Sequence, residues 1–226
     1  MYQYFLKRVF DVLSSGLALI FLSPILLYIA CLVKKRIGSP VLFTQVRPGK
    51  DNKLFKMYKF RSMTDERDED GNLLPDDVRL TPLGKKLRES SLDELPELIN
   101  ILRGEMSVVG PRPQLVRDMV FFSDEEMQRQ SVLPGLTGLA QINGRNNISW
   151  EDKFKYDLQY IKNISFLEDM RIIYRTVFKV ANQDDIITDG METAEDYGDY
   201  LLRIGKIGKA EYDSNQSKAN KLINRM

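Results

Sequence analysis

Residues 12–33, VLSSGLALIFLSPILLYIACLV, form a run of 22 residues without a single charge. As one straight helix it would be roughly 33 Å long, close to the ~30 Å hydrocarbon core of a bilayer. Three features argue against a simple span. Pro24 stands near the middle, where it removes one backbone donor and its ring meets the carbonyl of Ile20. Ser23 beside it carries a hydroxyl that can serve the backbone groups a proline frees. Both flanks are basic, Lys7 and Arg8 before the run and Lys34, Lys35 and Arg36 after it, and the positive-inside rule favours the cytoplasm for each. A helix broken at Ser23-Pro24 that enters and leaves through one face of the membrane satisfies all three. A secretory signal peptide fits less well, because the basic triplet stands where a small-residue cleavage site would be. An ordinary spanning helix, which can tolerate a proline, is the competing reading.

The chain has 226 residues, enough for one globular domain with an appendage. Lys and Arg number 33 against 32 Asp and Glu, a near balance that argues against holding nucleic acid by overall charge. No histidine is present. Ser-His-Asp and Cys-His triads, histidine-based zinc sites and imidazole acid–base catalysis are therefore excluded. The one cysteine, Cys31, lies inside the apolar run, so no intramolecular disulfide can form. An enzyme made from this chain works with carboxylates, Lys, Arg, Tyr or a hard metal ion.

Downstream, residues 41–46 and 54–60 read as two strands joined by the turn PGKDNK, a β-hairpin. Residues 64–77 are acidic and turn-rich, a solvated loop. Residues 83–103 read as a helix in two pieces, with Pro96 opening the second and Gly104 stopping it. Residues 110–113, GPRP, make a rigid connection, and residues 114–130 an amphipathic helix. A short strand is expected within 136–142, a helix from Ser149 through Tyr160, and a second helix over 166–181. That last helix pairs an apolar stripe with Arg171, Arg175 and Lys179, as an interfacial membrane helix or an ordinary surface helix does. The predicted fold is α+β: a membrane-embedded re-entrant anchor over residues 1–36, a mostly helical domain with a small hairpin over 37–182, and a polar tail over 183–226. Disorder is expected over 214–226.

Two adjacent carboxylates, Asp93 and Glu94, sit just ahead of the helix that Pro96 opens. A helix N-terminus favours ionised carboxylates and attracts phosphate. Ser91 and Glu94 also fit a capping box, so a purely structural role competes with a chemical one. Lys59 and Arg61 close the hairpin, Arg112 lies between two prolines, and Arg145 sits in a glycine turn. Any one of them alone is an ordinary surface charge. Several on rigid turns beside a carboxylate pair suit a phosphate-rich substrate and a divalent metal. The sequence has neither a Walker A loop nor G-x-G-x-x-G.

The ordered segments KRVFDVLSSGLALIFLSP, FTQVRPG, KMYKFRSM, SLDELPELINILRGEMSVVGPRP, PGLTGLAQINGR and WEDKFKYDLQYIKNISFLEDM resemble the bacterial sugar transferases. These are small monotopic phosphoglycosyl transferases acting on polyprenyl phosphate. The resemblance covers roughly residues 1–181 and leaves out the tail. It implies that Asp93 attacks the sugar-linked phosphate of a UDP-sugar, releases UMP and carries the phosphosugar until polyprenyl phosphate takes it. Glu94 is implied to handle protons or to join Asp93 at Mg²⁺, for which Mn²⁺ can substitute. Lys59, Arg88, Arg112 and Arg145 match positions implied to bind phosphate or nucleotide, and Asp157 and Asp169 match acidic positions near the site. The implied setting is the cytoplasmic face of a bacterial inner membrane, with lipid on one side, no nucleic acid partner, and glycosyltransferases downstream in the assembly of a glycan. Two other classes compete. A membrane-anchored module without activity has no use for Asp93, Glu94, Lys59 and Arg145 together, and a soluble nucleotide-binding regulator has none for the run around Ser23-Pro24.

Overall fold

A computed structural model describes residues 2–144, 148–182 and 195–225. A π-helical turn, Tyr2–Leu6, leads into α1, Lys7–Arg36. The helix runs without interruption through Pro24. Pro24 has no N–H for the Ile20 carbonyl, and the Ser23 hydroxyl donates to that carbonyl instead, at 2.7 Å. The interruption expected at Ser23-Pro24 is therefore absent: the segment stays helical, with one backbone hydrogen bond missing at the point where a proline lets a helix bend.

Both ends of α1 pack on the same domain. Near its start, Arg8 donates to the carbonyls of Ile101 and Leu102 at 2.6 and 2.9 Å. These belong to the last turn of α3, where carbonyls lack helical partners. One turn further on, the buried Asp11 accepts from Ser107 Oγ at 3.0 Å and from the Val108 N–H at 2.9 Å. At the far end, Ile29 and Val33 are buried against Phe60 and Leu87, each contributing about 2 kcal/mol. The opposite side of α1 exposes Leu13, Leu17, Ile20, Phe21, Leu27 and Tyr28.

The hairpin forms as expected. β1, Leu42–Pro48, pairs antiparallel with β2, Leu54–Phe60, from Leu42 opposite Phe60 to Pro48 opposite Leu54. Asp51 and Asn52 turn the corner with φ of 54° and 59°, a region these two residue types tolerate. The two-piece helix is α2, Pro82–Glu89, and α3, Glu97–Arg103. Thr81 caps the first through Gly84 N–H at 2.9 Å, and Gly104, with φ of 84°, ends the second. Phe55 and Met57 of β2 pack with Leu98, Ile101 and Met106, and Ala18, Leu19 and Leu22 of α1 close over them.

β3, Ser107–Val109, lies parallel to β4, Gly135–Thr137. A Cβ on Gly135 would stand 2.1 Å from the Gly110 nitrogen, so only glycine permits this approach. The strand expected within 136–142 is therefore brief. The chain turns helical at Leu139–Ile142. The helix expected over 114–130 is divided into α4, Val116–Met119, a turn at Asp124–Met127 and a 3₁₀ segment at Gln128–Ser131. The cause is local: Ser123 and Glu126 form a reciprocal capping box that starts a new helix in mid-segment. α5, Trp150–Lys162, and α6, Phe166–Asn182, follow. Tyr160 and Ile172 from these two helices join Val109, Leu139 and Ile142 in a second core cluster.

The tail departs from expectation. α7, Tyr197–Arg203, and α8, Lys209–Ile223, are helical, so the disorder expected from Ser214 onward is replaced by order through residue 225. Its few apolar residues suffice because they meet ready surfaces. Tyr197 and Leu201 pack with Trp150 and Phe154, and Ala219 is buried against Val116 and Met119. Residues 183–194 of the expected tail lie outside the described residues.

Candidate active site

Asp93 and Glu94 lie in a 3₁₀ turn, Leu92–Glu94, wedged between α2 and α3. Ser91 ahead of it has φ of 55°, which reverses the chain so that the two carboxylates leave the helical line. The capping box read from Ser91 and Glu94 does not form, because Ser91 makes no side-chain cap there. Glu94 points elsewhere. Its Oε1 accepts from Lys59 Nζ at 2.7 Å, and the Arg112 guanidinium grips both carboxylate oxygens, Nη1 reaching Oε2 at 3.3 Å and Nη2 reaching Oε1. Lys59 comes from the end of β2, and Arg112 from the proline-bracketed segment after β3. Lys59 also stands 3.4 Å from Glu97, a buried carboxylate on the first turn of α3.

The two neighbours of the dyad differ electrically. Asp93 is buried, and among the described residues its carboxylate has no hydrogen bond or ion pair. Burial, reinforced by the Glu94 charge, pushes it up to about 6 against the pull of Lys59, Arg88 and Arg112. For Glu94 burial acts in the same upward direction, but Arg112 and Lys59 outweigh it and hold the carboxyl far below the usual range. Glu97 is pushed up to about 7, by burial first and by Glu94, with Lys59 opposing. Arg112, held by Glu94, is raised beyond its already high value.

Of the residues singled out in the sequence, Lys59, Arg88, Arg112, Asp93 and Glu94 share this site. Arg88, on α2, donates from Nε to Ser62 Oγ at 3.0 Å. Arg61 turns away to the Ser39 and Met63 carbonyls. Asp157 pairs instead with Arg129, whose Nη2 and Nε reach one oxygen at 2.7 and 3.0 Å. Asp169 ties α6 to the chain's start: it accepts from Lys7 at 2.5 Å, Tyr2 at 2.6 Å and Tyr160 at 2.7 Å. Arg145 lies outside the described residues. Sequence reasoning passed over Glu97 and Arg129. Glu97 reads there as one more polar position on a helix, although it follows Glu94 by three residues and so shares its side of the turn.

Among the described residues no group of three or more His, Cys, Asp or Glu side chains is disposed to hold a metal ion. Magnesium commonly takes one or two carboxylates and completes its shell with water and substrate phosphate. Asp93 fits that pattern, since its oxygens are not engaged by the site's cations. Glu94 has both oxygens engaged by Lys59 and Arg112.

Residues 2–183 match the family described as bacterial sugar transferase. The chain is 50% identical over 190 residues to an uncharacterized sugar transferase, EpsL, of Bacillus subtilis (strain 168), covering 84% of this chain and 94% of that one. It is 46% identical over 183 residues to a UDP-glucose:undecaprenyl-phosphate glucose-1-phosphate transferase of Klebsiella pneumoniae, covering 76% of this chain and 39% of the other. It is 36% identical over 197 residues to an undecaprenyl-phosphate galactose phosphotransferase of Salmonella typhimurium (strain LT2), covering 80% and 41%.

The electrostatics of Asp93 have a consequence for stability. An unfolded Asp titrates near 3.9, and Asp93 in the fold near 6. The folded state therefore binds the extra proton between those values, and the ionised Asp93 costs stability above pH 6 that is recovered on acidification. In chelator, Asp93→Asn should raise stability at pH 7.5 by the order of 2 kcal/mol, and by much less at pH 4. Thermal unfolding at the two pH values checks this; an Asn variant less stable at pH 7.5 would contradict the assignment.

Proposed function

The chain belongs to the bacterial sugar transferase family, and on that premise we propose that it transfers a sugar-1-phosphate from a UDP-sugar to a polyprenyl phosphate, releasing UMP. The relatives' names carry the same kind of reaction with undecaprenyl phosphate as acceptor. They name different sugars, glucose and galactose, so the sugar here is left to experiment. The observation that carries the mechanism is the division of labour in the dyad: Glu94 is engaged by Lys59 and Arg112, while Asp93 next to it is not.

In the first step an Asp93 oxygen attacks the sugar-linked phosphorus, the bond to the bridging oxygen breaks, and UMP leaves with that electron pair. In the second, a phosphate oxygen of the lipid attacks the same phosphorus and Asp93 leaves as a carboxylate, giving polyprenyl-diphosphate sugar. A carboxylate nucleophile can carry out both displacements without an imidazole, which suits a chain without histidine. Lys59, Arg88 and Arg112 offset phosphate charge, and the Arg112 guanidinium has further N–H groups beyond the two bonds it makes to Glu94. Glu94 holds that guanidinium and the Lys59 ammonium in place before substrate arrives. Asp93 would hold Mg²⁺ or Mn²⁺ together with the donor's phosphate oxygens, and the ion would supply screening of charge between the carboxylate and the diphosphate.

The lipid acceptor gives α1 its purpose. With both ends packed on one domain and one side apolar and exposed, α1 is read as entering a membrane and returning by the same face, with the domain on the cytoplasmic side. There the acceptor phosphate lies at headgroup level within reach of a soluble nucleotide donor.

Purified protein in nanodiscs with undecaprenyl phosphate, offered a panel of UDP-sugars, should release UMP with at least one. That release should be lost in excess EDTA and restored by Mg²⁺ or Mn²⁺. Turnover unaffected by chelator would remove the metal, and failure with every donor would sink the activity. For topology, a cysteine placed at position 3 in a Cys31→Ser background should be shielded from an impermeant reagent outside intact cells; labelling from outside would contradict the re-entrant path.

A further inference from the structure

The family match ends at residue 183, yet residues 195–225 are folded onto the segment that carries Arg112. We propose that this C-terminal unit is a clasp that positions Arg112 for the donor diphosphate, a role that rests on reading Arg112 as a phosphate ligand. Two routes, both using Tyr197, lead from the clasp to that residue.

The first runs through the backbone. Four residues past Pro113, Arg117 in α4 pairs with Asp196 at 2.7 Å. The buried Asp118 accepts the Leu115 N–H at 3.1 Å with one oxygen and the Tyr197 N–H at 2.8 Å with the other, so a single carboxylate joins the start of α4 to the start of α7. Ala219 of α8 closes the contact, buried against Val116 and Met119 of α4.

The second runs through aromatic rings. Tyr197 lies 5.8 Å from the Phe122 ring and 5.1 Å from that of Phe154. These two rings flank the buried Arg129 guanidinium at 5.5 and 5.9 Å, a cation held by aromatic faces as well as by charge. Asp157 balances that charge, and Arg129 Nη2 donates to the main-chain carbonyl of Arg112 itself at 2.6 Å. The clasp thus fixes the Arg112 backbone from behind while the side chain projects forward to Glu94. Asp157 acquires a role on this path: it orients Arg129, and Arg129 orients Arg112. Asp118, Arg129, Asp157 and Tyr197 are all buried and reach the site through the Arg112 backbone, so they are positioning residues. A displacement on the scale of 1 Å in such a support is enough to cost an enzyme heavily.

The test uses the full chain in nanodiscs and two substitutions at opposite ends of the clasp. Tyr197→Ala removes the ring between Phe122 and Phe154. Ala219→Glu places a charge in a dry contact and releases α8. Trp150, the chain's single tryptophan, packs against Tyr197 with ring centres 5.0 Å apart and donates to the Glu195 carbonyl at 3.2 Å, so its emission reports release at the first site. Hydrogen exchange of residues 111–119 reports on both. Each variant should speed that exchange and raise the donor KM about tenfold with a much smaller change in kcat. In an Arg112→Lys background the clasp substitutions should add little further loss, because the residue they position has already been compromised. Unchanged exchange at 111–119, an unchanged donor KM despite faster exchange, or full additivity with Arg112→Lys would each overturn the proposal. If one variant fails to fold, the other carries the same outcomes. Wild-type protein that releases no UMP from any donor refutes the functional reading instead, and the exchange at 111–119 then decides by itself whether the clasp grips.

Discussion

Glu94 spends its carboxylate on two cations from distant parts of the chain, the Lys59 ammonium and the Arg112 guanidinium. Without it those cations would face each other across a partly buried space, each paying for lost hydration. With it, the end of the hairpin, the turn between α2 and α3, and the segment after β3 are drawn to one point. Removing one member of such a cluster costs several kcal/mol because the remaining charges stay behind unpaired. The same arrangement leaves Asp93 in an adjoining buried position with a like charge beside it, which is why it is driven upward while Glu94 is driven down. In the proposed reaction the destabilised carboxylate is the attacking one, which would make it an instance of stability yielded at a functional site.

The apolar helix is bound into this arrangement by polar contacts. Arg8 caps the end of α3, Asp11 engages the edge of β3, and Lys7 reaches the fully buried Asp169. These fix α1 against the same α3 and β3 that carry Glu97 and lead to Arg112. Lys7 and Asp11 are tolerated in a largely buried setting because Lys7 is ion-paired with Asp169 and Asp11 accepts hydrogen bonds from Ser107 and the Val108 N–H. Polar contacts at its start and apolar packing of Ile29 and Val33 at its far end hold this helix on the domain that carries the candidate site.

Much of this was legible from residue patterns. The hairpin followed from two short strand-like runs joined by the turn PGKDNK, and the division of α2 from α3 followed from Pro96. The dyad stood out because two carboxylates before a proline-marked helix are unusual. What could not be read depended on contacts between remote segments. The capping box of Ser123 and Glu126 was written in the sequence but was masked by the longer apolar periodicity around it. The tail looks polar by composition, and its order arises from a handful of residues, Tyr197, Leu201 and Ala219, whose partners lie some 40 to 100 positions earlier. Ser91 and Glu94 matched a cap by spacing, yet two cations outcompeted the backbone N–H for the Glu94 carboxylate. Nor does spacing reveal that Asp157 serves Arg129, because that pairing is made only when α5 packs beside the Gln128–Ser131 turn.

The central claim is that Asp93 carries the phosphosugar while its neighbour Glu94 holds the cations. The most direct measurement incubates the protein in nanodiscs with a UDP-sugar and no lipid acceptor, quenches rapidly in acid, and maps any added mass by peptide sequencing. The account requires the mass of a sugar phosphate on Asp93, absent from Asp93→Asn and still detectable in Glu94→Gln. The same mass on Glu94, or no adduct at any time in a protein that turns over once undecaprenyl phosphate is added, would contradict it.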